Sequence, residues 1–271
     1  MQRRYQKKRK PKPRQSTPES FHTEEKHSDC RSSPSSRETD ISSNSSFPIS
    51  PQAVSAPNRR FLPDELYPDH FTLSDIEVPV GNLVFLACPG SETKCPHCNR
   101  HIYHLDCIVI AIDGACHNNG KNGARASTGL YYGRDHPMND SVTLSPGLKQ
   151  TSQVAELAAC QRALLAAHVM QKYWDKLTEM AGDGETTLHT VVIKSDSEYL
   201  VRGITEWFFK WKANGWTTAK GLPVANEEHF RSIERYVKLL EDEQVIVKFW
   251  HVPRKYNQEA DKLATSALDG Y

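Results

Sequence analysis

The run CIVIAID at residues 107–113 constrains this chain more than any other segment, because six apolar or small side chains follow one another without a polar break and end on an acid. A strand with one wet face alternates apolar and polar residues, so an unbroken run describes a strand covered on both faces. Such strands belong to sheets with helices laid against them, which points to an α/β fold. Two further runs, LHTVVIKS at 188–195 and VIVKFWH at 245–251, read the same way.

The intervening segments complete the pattern. Strands are expected at 126–132 and 141–144, joined by turns containing Gly120, Gly123 and Gly133, so that the first three strands form an antiparallel meander. A helix is expected over 152–173, where Leu157, Cys160, Leu164 and Ala167 line one face, followed by helices at 197–204, 207–212, 227–240 and 258–268. The order is β-β-β-α-β-α-α-α-β-α. Crossovers of helical length make the later strands parallel to the first. The expected architecture is a five-stranded mixed sheet, three strands antiparallel and the rest parallel, flanked by helices.

The first sixty residues cannot join that core. They are rich in Ser, Pro, Lys, Arg and Glu with few large apolar side chains, so 1–60 reads as a disordered tail. Arg3, Arg4, Lys7, Lys8, Arg9, Lys10, Lys12 and Arg14 meet no acid before Glu19, and the formal charge of +1 therefore leaves the remainder net acidic. Such a block suits a solvated arm, a phosphate-attracting arm or a nuclear address. Pro11 and Pro13 break the amphipathic helix a mitochondrial presequence needs, so the nucleus is expected before the cytoplasm, and both before the mitochondrion. Seven cysteines, an odd number, and the lack of an apolar leader or membrane-length run indicate a reducing compartment and no membrane partner.

Residues 61–106 read as an appendage to the domain at 107–271, with one strand-length apolar run at 82–88. It carries a cluster, CPGSETKCPHCNRHIYHLDC at 88–107. Cys95 and Cys98 have the spacing of half a zinc knuckle, and Cys88, Cys95, Cys98 and His104 are the candidate zinc set, with His101 and Cys107 as alternatives. The second half lacks a clean repeat of that spacing, and Cys107 can equally enter the core. Cys116 and Cys160 read as small buried side chains and Cys30 as a tail thiol.

Four acids share a placement. Asp113 ends the first strand and Asp196 ends the strand at 188–195, while Glu156 lies in the opening turns of the long helix and Asp261 in those of the last. An acid ending a strand is commonly a turn residue, and one near a helix start a favourable charge. Here all four follow elements that converge on one end of the sheet, and carboxylates gathered so closely repel unless they hold divalent cations. Two hard ions about 4 Å apart clamp the attacking and leaving oxygens of a phosphoryl displacement.

These segments resemble the type 1 ribonuclease H family. AIDGACHNNG at 111–120, QTSQVAE at 150–156, SDSEYLVRGI at 195–204 and NQEADKLA at 257–264 are similar to its four signatures, in order, over roughly 108–268. The resemblance implies a ribonuclease H catalytic domain with the RNase H-like fold. Its implied activity is endonucleolytic hydrolysis of the RNA strand of RNA/DNA hybrids, leaving 5′-phosphate and 3′-hydroxyl ends. It implies two Mg²⁺ ions, with Mn²⁺ as the alternative: Asp113 bridging both, Asp261 completing the site of the attacking water, and Glu156 with Asp196 that of the leaving group. Asn119, Ser152 and Gln153, with backbone near Cys116, match positions that touch 2′-hydroxyls, the one group that tells RNA from DNA.

Between 206 and 226, Trp207, Trp211 and Trp216 are interleaved with Lys210, Lys212 and Lys220. Without the resemblance this is a packed amphipathic helix. With it, the segment matches the family's basic handle, whose DNA-facing positions are Tyr199, Trp207 and Trp211, with Trp216 as handle core. Lys149, Thr151 and Asn226 match a pocket for one DNA phosphate. One departure stands out: the glycine-rich loop in which the family often carries a histidine is here Val252-Pro253-Arg254-Lys255-Tyr256. His251 belongs to the strand, and Arg254 is the residue placed to assist proton transfer or product departure, or else to bind phosphate. The chain is expected to act as a monomer on hybrids. The alternatives are a hybrid-binding protein without catalysis and a domain descended from a mobile element.

Overall fold

The computed structural model describes residues 58–178 and 186–269. The expected disordered tail lies outside the described residues, except for 58–60. In chain order the elements are α1 (Pro63–Leu66), α2 (Leu73–Ile76), β1 (Glu77–Val80), β2 (Leu83–Ala87), β3 (Tyr103–His117), β4 (Arg125–Tyr131), β5 (Asp140–Thr143), α3 (Ser152–Gln171), α4 (Trp174–Thr178) and β6 (Thr190–Ser195). There follow α5 (Glu198–Arg202), a π turn (Gly203–Trp207), α6 (Phe208–Ala213), α7 (Glu227–Asp242), β7 (Ile246–His251), a 3-10 turn (Arg254–Tyr256) and α8 (Gln258–Asp269).

β3 organises the sheet. Along one edge it runs parallel to β6, from Cys107 opposite Thr190 to Ala111 opposite Lys194, and β6 runs parallel to β7. Along the other edge two strands lie end to end: β2 pairs with the first part of β3 and β4 with the last, both antiparallel. β1 and β5 pair antiparallel with β2 and β4. The mixed sheet flanked by helices is therefore present, but among the described residues it has seven strands where five were expected. The two added strands come from the segment read as an appendage, and the boundary expected at 106/107 falls inside β3. The physical reason is pairing: the β1–β2 hairpin turns at Gly81, with φ +57°, and β2 pairs with Tyr103 and His104 in the stretch that extends β3 ahead of Cys107.

The continuous apolar run of β3 is explained by two cores. Ile108, Ile110 and Ile112 face Leu157 and Leu164 of α3 and, further along, Phe230 and Val237 of α7. Cys107 and Val109 face the opposite side, where Phe61, Ile76, Leu86 and Trp250 cover the sheet. Each fully buried Ile or Leu stabilises the fold by about 2 kcal/mol. Residues 58–61 belong to this structure and not to a tail. The Phe61 amide donates to the Phe249 carbonyl at 2.9 Å and the Phe249 amide to the Arg59 carbonyl at 2.8 Å. Arg59 is buried, with its guanidinium on Glu234 and, at 3.0 and 3.1 Å, on Glu241 of α7.

Candidate active site

Two glycines set the position of the helices that carry acids. A Cβ on Gly114, next to Asp113, would lie 2.2 Å from the backbone nitrogen of Glu156, so α3 lies directly on β3. A Cβ on Gly129, which pairs with Asp113 across β3–β4, would lie 2.3 Å from the Ala260 carbonyl oxygen and 2.4 Å from the Ala264 nitrogen. That contact seats the first turn of α8, and with it Asp261, on β4 beside the strand bearing Asp113. Asp196 follows Ser195 at the end of β6, on the strand beside Asp113. Thr151 caps α3 by accepting from the Val154 amide at 3.3 Å, and Ser197 caps α5 through the Leu200 amide at 3.3 Å.

The result is a carboxylate cluster. Oxygens of Asp113, Glu156 and Asp196 all lie within 4.8 Å of one another, and no other group of three or more His, Cys, Asp or Glu residues does so among the described residues. Asp261 stands outside this trio and is held by Arg254, which the 3-10 turn projects toward it. Burial pushes the Asp113 carboxyl up from 3.8 to about 7, reinforced by the charge and hydrogen bond of Asp196 and the charge of Asp261, against a smaller opposing effect of Arg254. Burial, then the charges of Asp113 and Asp196, push Glu156 well above the ordinary range, although its carboxylate accepts from the Gly114 amide. One Glu156 oxygen, Oε2, is sealed from solvent without a hydrogen-bond partner. An orphaned oxygen in a knot of mutually repelling carboxyls fits a divalent cation, and the all-oxygen donor set suits a hard ion such as Mg²⁺ or Mn²⁺ better than Zn²⁺.

The candidate zinc set is not assembled. No three of Cys88, Cys95, Cys98 and His104 bring ligand atoms within 4.8 Å of one another. The alternatives are engaged elsewhere: Cys107 is buried with its thiol toward Asp106 at 3.3 Å. His101 is buried with its ring 4.2 Å from Phe71 and Nδ1 3.1 Å from the Ser91 hydroxyl. The hairpin pairing places Cys88 beside Ile102, whose carbonyl accepts the Cys88 amide at 2.7 Å, while Cys95 and Cys98 sit in the intervening turn.

Around the cluster, Asn119 donates to the Ser152 hydroxyl at 3.2 Å, and Gln153 is exposed on the first turn of α3. Lys149 is exposed beside Thr151. The Tyr199 hydroxyl donates to the Ala225 carbonyl at 3.2 Å and accepts from Asn226 Nδ2 at 3.2 Å, tying α5 to the start of α7. Rings continue from Tyr199 to Trp207 at 6.3 Å and from Trp207 to Trp211 at 5.7 Å, all three partly exposed. Trp216 is buried, as handle core, under the Arg231 guanidinium. The two short helices expected here form one continuous run through the π turn, and Gly203 makes room for Phe230, whose Cε1 would lie 2.4 Å from a Cβ. Lys210, Lys212 and Lys220 are exposed. His251 is the last residue of β7, paired with Ser195.

Two positioning residues escaped the sequence. Buried Asn257 donates through Nδ2 to the Ile112 carbonyl at 2.8 Å and to Asp196 Oδ1 at 3.2 Å, pinning the carboxylate to β3. Gln150 accepts from the Ala126 amide at 2.8 Å and donates to the Ser145 and Leu148 carbonyls at 2.9 Å, fixing the loop that bears Lys149. Their only sequence signal is a polar residue just before a helix.

The profile of the RNase H family matches residues 106–269. Ribonuclease H1 of Homo sapiens is 34% identical over 166 residues, covering 60% of this chain and 50% of that protein. Ribonuclease H of Schizosaccharomyces pombe is 35% identical over 158 residues, 58% of this chain and 51% of its own length. Ribonuclease H of Ehrlichia chaffeensis is 33% identical over 169 residues, 60% of this chain and 96% of its own. The chain thus spans about half the length of the first two relatives and nearly all of the third. The matched segment holds all four acids and both helix-seating glycines, and the chain belongs to the RNase H family.

Proposed function

We propose that this chain hydrolyses the RNA strand of RNA/DNA hybrids, cutting internally to leave 5′-phosphate and 3′-hydroxyl ends. The observation that carries the reading is the convergence of Asp113, Glu156 and Asp196, with one oxygen orphaned, inside the family-matched segment. Two Mg²⁺ ions, or Mn²⁺, bound there would supply an activated water and charge stabilisation for the in-line displacement of the 3′-oxygen. The residues of the chain do the rest. Asp113, Glu156, Asp196 and Asp261 would hold the ions, and Asn257 keeps Asp196 aimed. Arg254, exposed and paired to Asp261, would move a proton, release the product or bind phosphate.

Asn119, Ser152 and Gln153 lie at the α3 start beside Glu156 and would contact 2′-hydroxyls of the RNA strand. Tyr199, Trp207 and Trp211 present a ring surface for DNA sugars, and Lys149, Thr151 and Asn226 would take a DNA phosphate. The test is Asp196→Asn, a nearly isosteric change. Single-turnover cleavage of a labelled hybrid in Mg²⁺ should fall by orders of magnitude while equilibrium binding in Ca²⁺ changes little. Near wild-type cutting by this variant, or equal cutting of an all-DNA duplex by the wild type, would refute the reading. Binding of hybrids without cleavage by the wild type would leave a hybrid-binding protein instead.

A further inference from the structure

The carboxylate cluster has a buried cation behind it. Lys194 lies on β6 two residues before Asp196 and stands opposite Ala111, which is itself two residues before Asp113. Ala111 and Asp113, two apart on β3, share a face and sit about 7 Å from one another, so Lys194 lies beside that face, and Asp196 is the first residue past β6. The lysine is 6% exposed, so water screens its charge poorly. A cation so placed opposes any divalent ion drawn to Asp113 and Asp196. Its partner is Glu77 Oε1, from the first residue of β1. Glu77 belongs to the hairpin that lies outside the family-matched segment at 106–269.

We propose that Lys194 and Glu77 form a charge-setting pair that fixes the divalent-cation affinity of the carboxylate cluster, with the β1–β2 hairpin supplying the charge that offsets the lysine. The inference rests on the reading that the four acids hold metal ions. Lys194 is paired to Glu77 and not to any of the four acids, and the two are positioning residues that act through the field at Asp113 and Asp196. The hairpin thereby has a role at the site beyond closing the edge of β3. A charge this near an ion-binding site, inside protein, alters affinity by at least about tenfold.

The experiment measures Mn²⁺ binding to the metal-free full chain by electron paramagnetic resonance, which needs no turnover. Glu77→Gln keeps an acceptor for the Lys194 ammonium and removes the compensating charge, and Mn²⁺ affinity should fall about tenfold. Glu77→Gln with Lys194→Met removes both charges and should return it to within about threefold of wild type. The exchanged pair, Glu77→Lys with Lys194→Glu, keeps the ion pair but turns its anion toward the cluster, and should bind Mn²⁺ more tightly than wild type. Unchanged affinity in Glu77→Gln overturns the proposal, and so does a loss that the double neutral variant does not restore, since that marks a packing role only. If the wild type binds no Mn²⁺, the metal-site reading itself has failed, a result distinct from either.

Discussion

Replacing Asp113 with Asn should make the metal-free protein more stable, and only at neutral and alkaline pH. The Asp113 carboxyl is raised from 3.8 to about 7 by burial and by Asp196 and Asp261. A group whose folded-state value exceeds its unfolded one binds protons more readily in the folded state, so stability is greatest below about pH 4 and declines as pH rises to about 7. At roughly 1.4 kcal/mol per pH unit, the ionised carboxylate costs on the order of 4 kcal/mol at pH 8. Asparagine keeps the shape, carries no charge and can donate to Asp196. For a domain of this size, relief of that order raises Tm by roughly 8–16 °C. Guanidinium unfolding of both proteins in EDTA at pH 4.5 and 8 is the assay, with a large advantage for the variant expected at pH 8 and little at pH 4.5. Millimolar Mg²⁺ should narrow the difference, because a bound ion stabilises the wild type more than the variant. A difference independent of pH, or a variant less stable at pH 8 in EDTA, would refute the electrostatic account.

Gly114→Ala should lower stability by about 1–3 kcal/mol and weaken Mn²⁺ binding, since its Cβ would meet the Glu156 nitrogen at 2.2 Å and the first turn of α3 must shift; denaturation and metal titration check both. Arg59→Met should cost about 2–3 kcal/mol in urea unfolding by leaving Glu234 and Glu241 facing one another, with Mn²⁺ affinity unchanged. Deleting residues 1–15 should flatten the salt dependence of hybrid binding without altering the preference for RNA/DNA over DNA, because a cationic arm releases counterions from any phosphate backbone; an unchanged slope removes the arm from binding.

The parts of the fold that were legible in the sequence are those whose burial shows as a local pattern. The runs at 188–195 and 245–251 contain β6 and β7, and the run at 107–113 is the middle of β3, because a strand covered on both faces leaves few polar positions. β2 was legible as the apolar run at 82–88, but β1 and the hairpin were not, since Pro79 weakens the strand signal and the pairing of β2 with β3 is a property of the assembled sheet. Arg59 was hidden for the same reason. A charged residue after a polar tail reads as solvated, and its partners Glu234 and Glu241 lie 175 and 182 residues away. The cysteine spacing is a local signal of another kind: Cys95 and Cys98 have the spacing of a ligand pair, and neither Cys88 nor His104 joins them in a group with ligand atoms within 4.8 Å.

The candidate site divides along the same line, and the division explains why it can exist. Asp113, Glu156, Asp196 and Asp261 were visible because each closes an apolar run or opens a helix, although Asp113, expected to end its strand, lies inside β3, which continues through its pairing with β4 to His117. Nothing in their own chemistry draws them together, since Asp113 and Glu156 are each pushed toward protonation by the other acids. Packing enforces the approach. Gly114 and Gly129 let α3 and α8 sit on the strands, and Ile110, Ile112, Leu157 and Leu164, at about 2 kcal/mol each, outweigh the repulsion. Asn257 then ties Asp196 to the Ile112 carbonyl across 145 residues, a role no local pattern announces. A fold that holds carboxylates against their own repulsion keeps a metal-free site poised for cations, since binding one relieves a cost already met by the core. That is why the stability measurements on Asp113→Asn and the Mn²⁺ measurements on Glu77→Gln probe one quantity, the electrostatic potential at the carboxylate cluster.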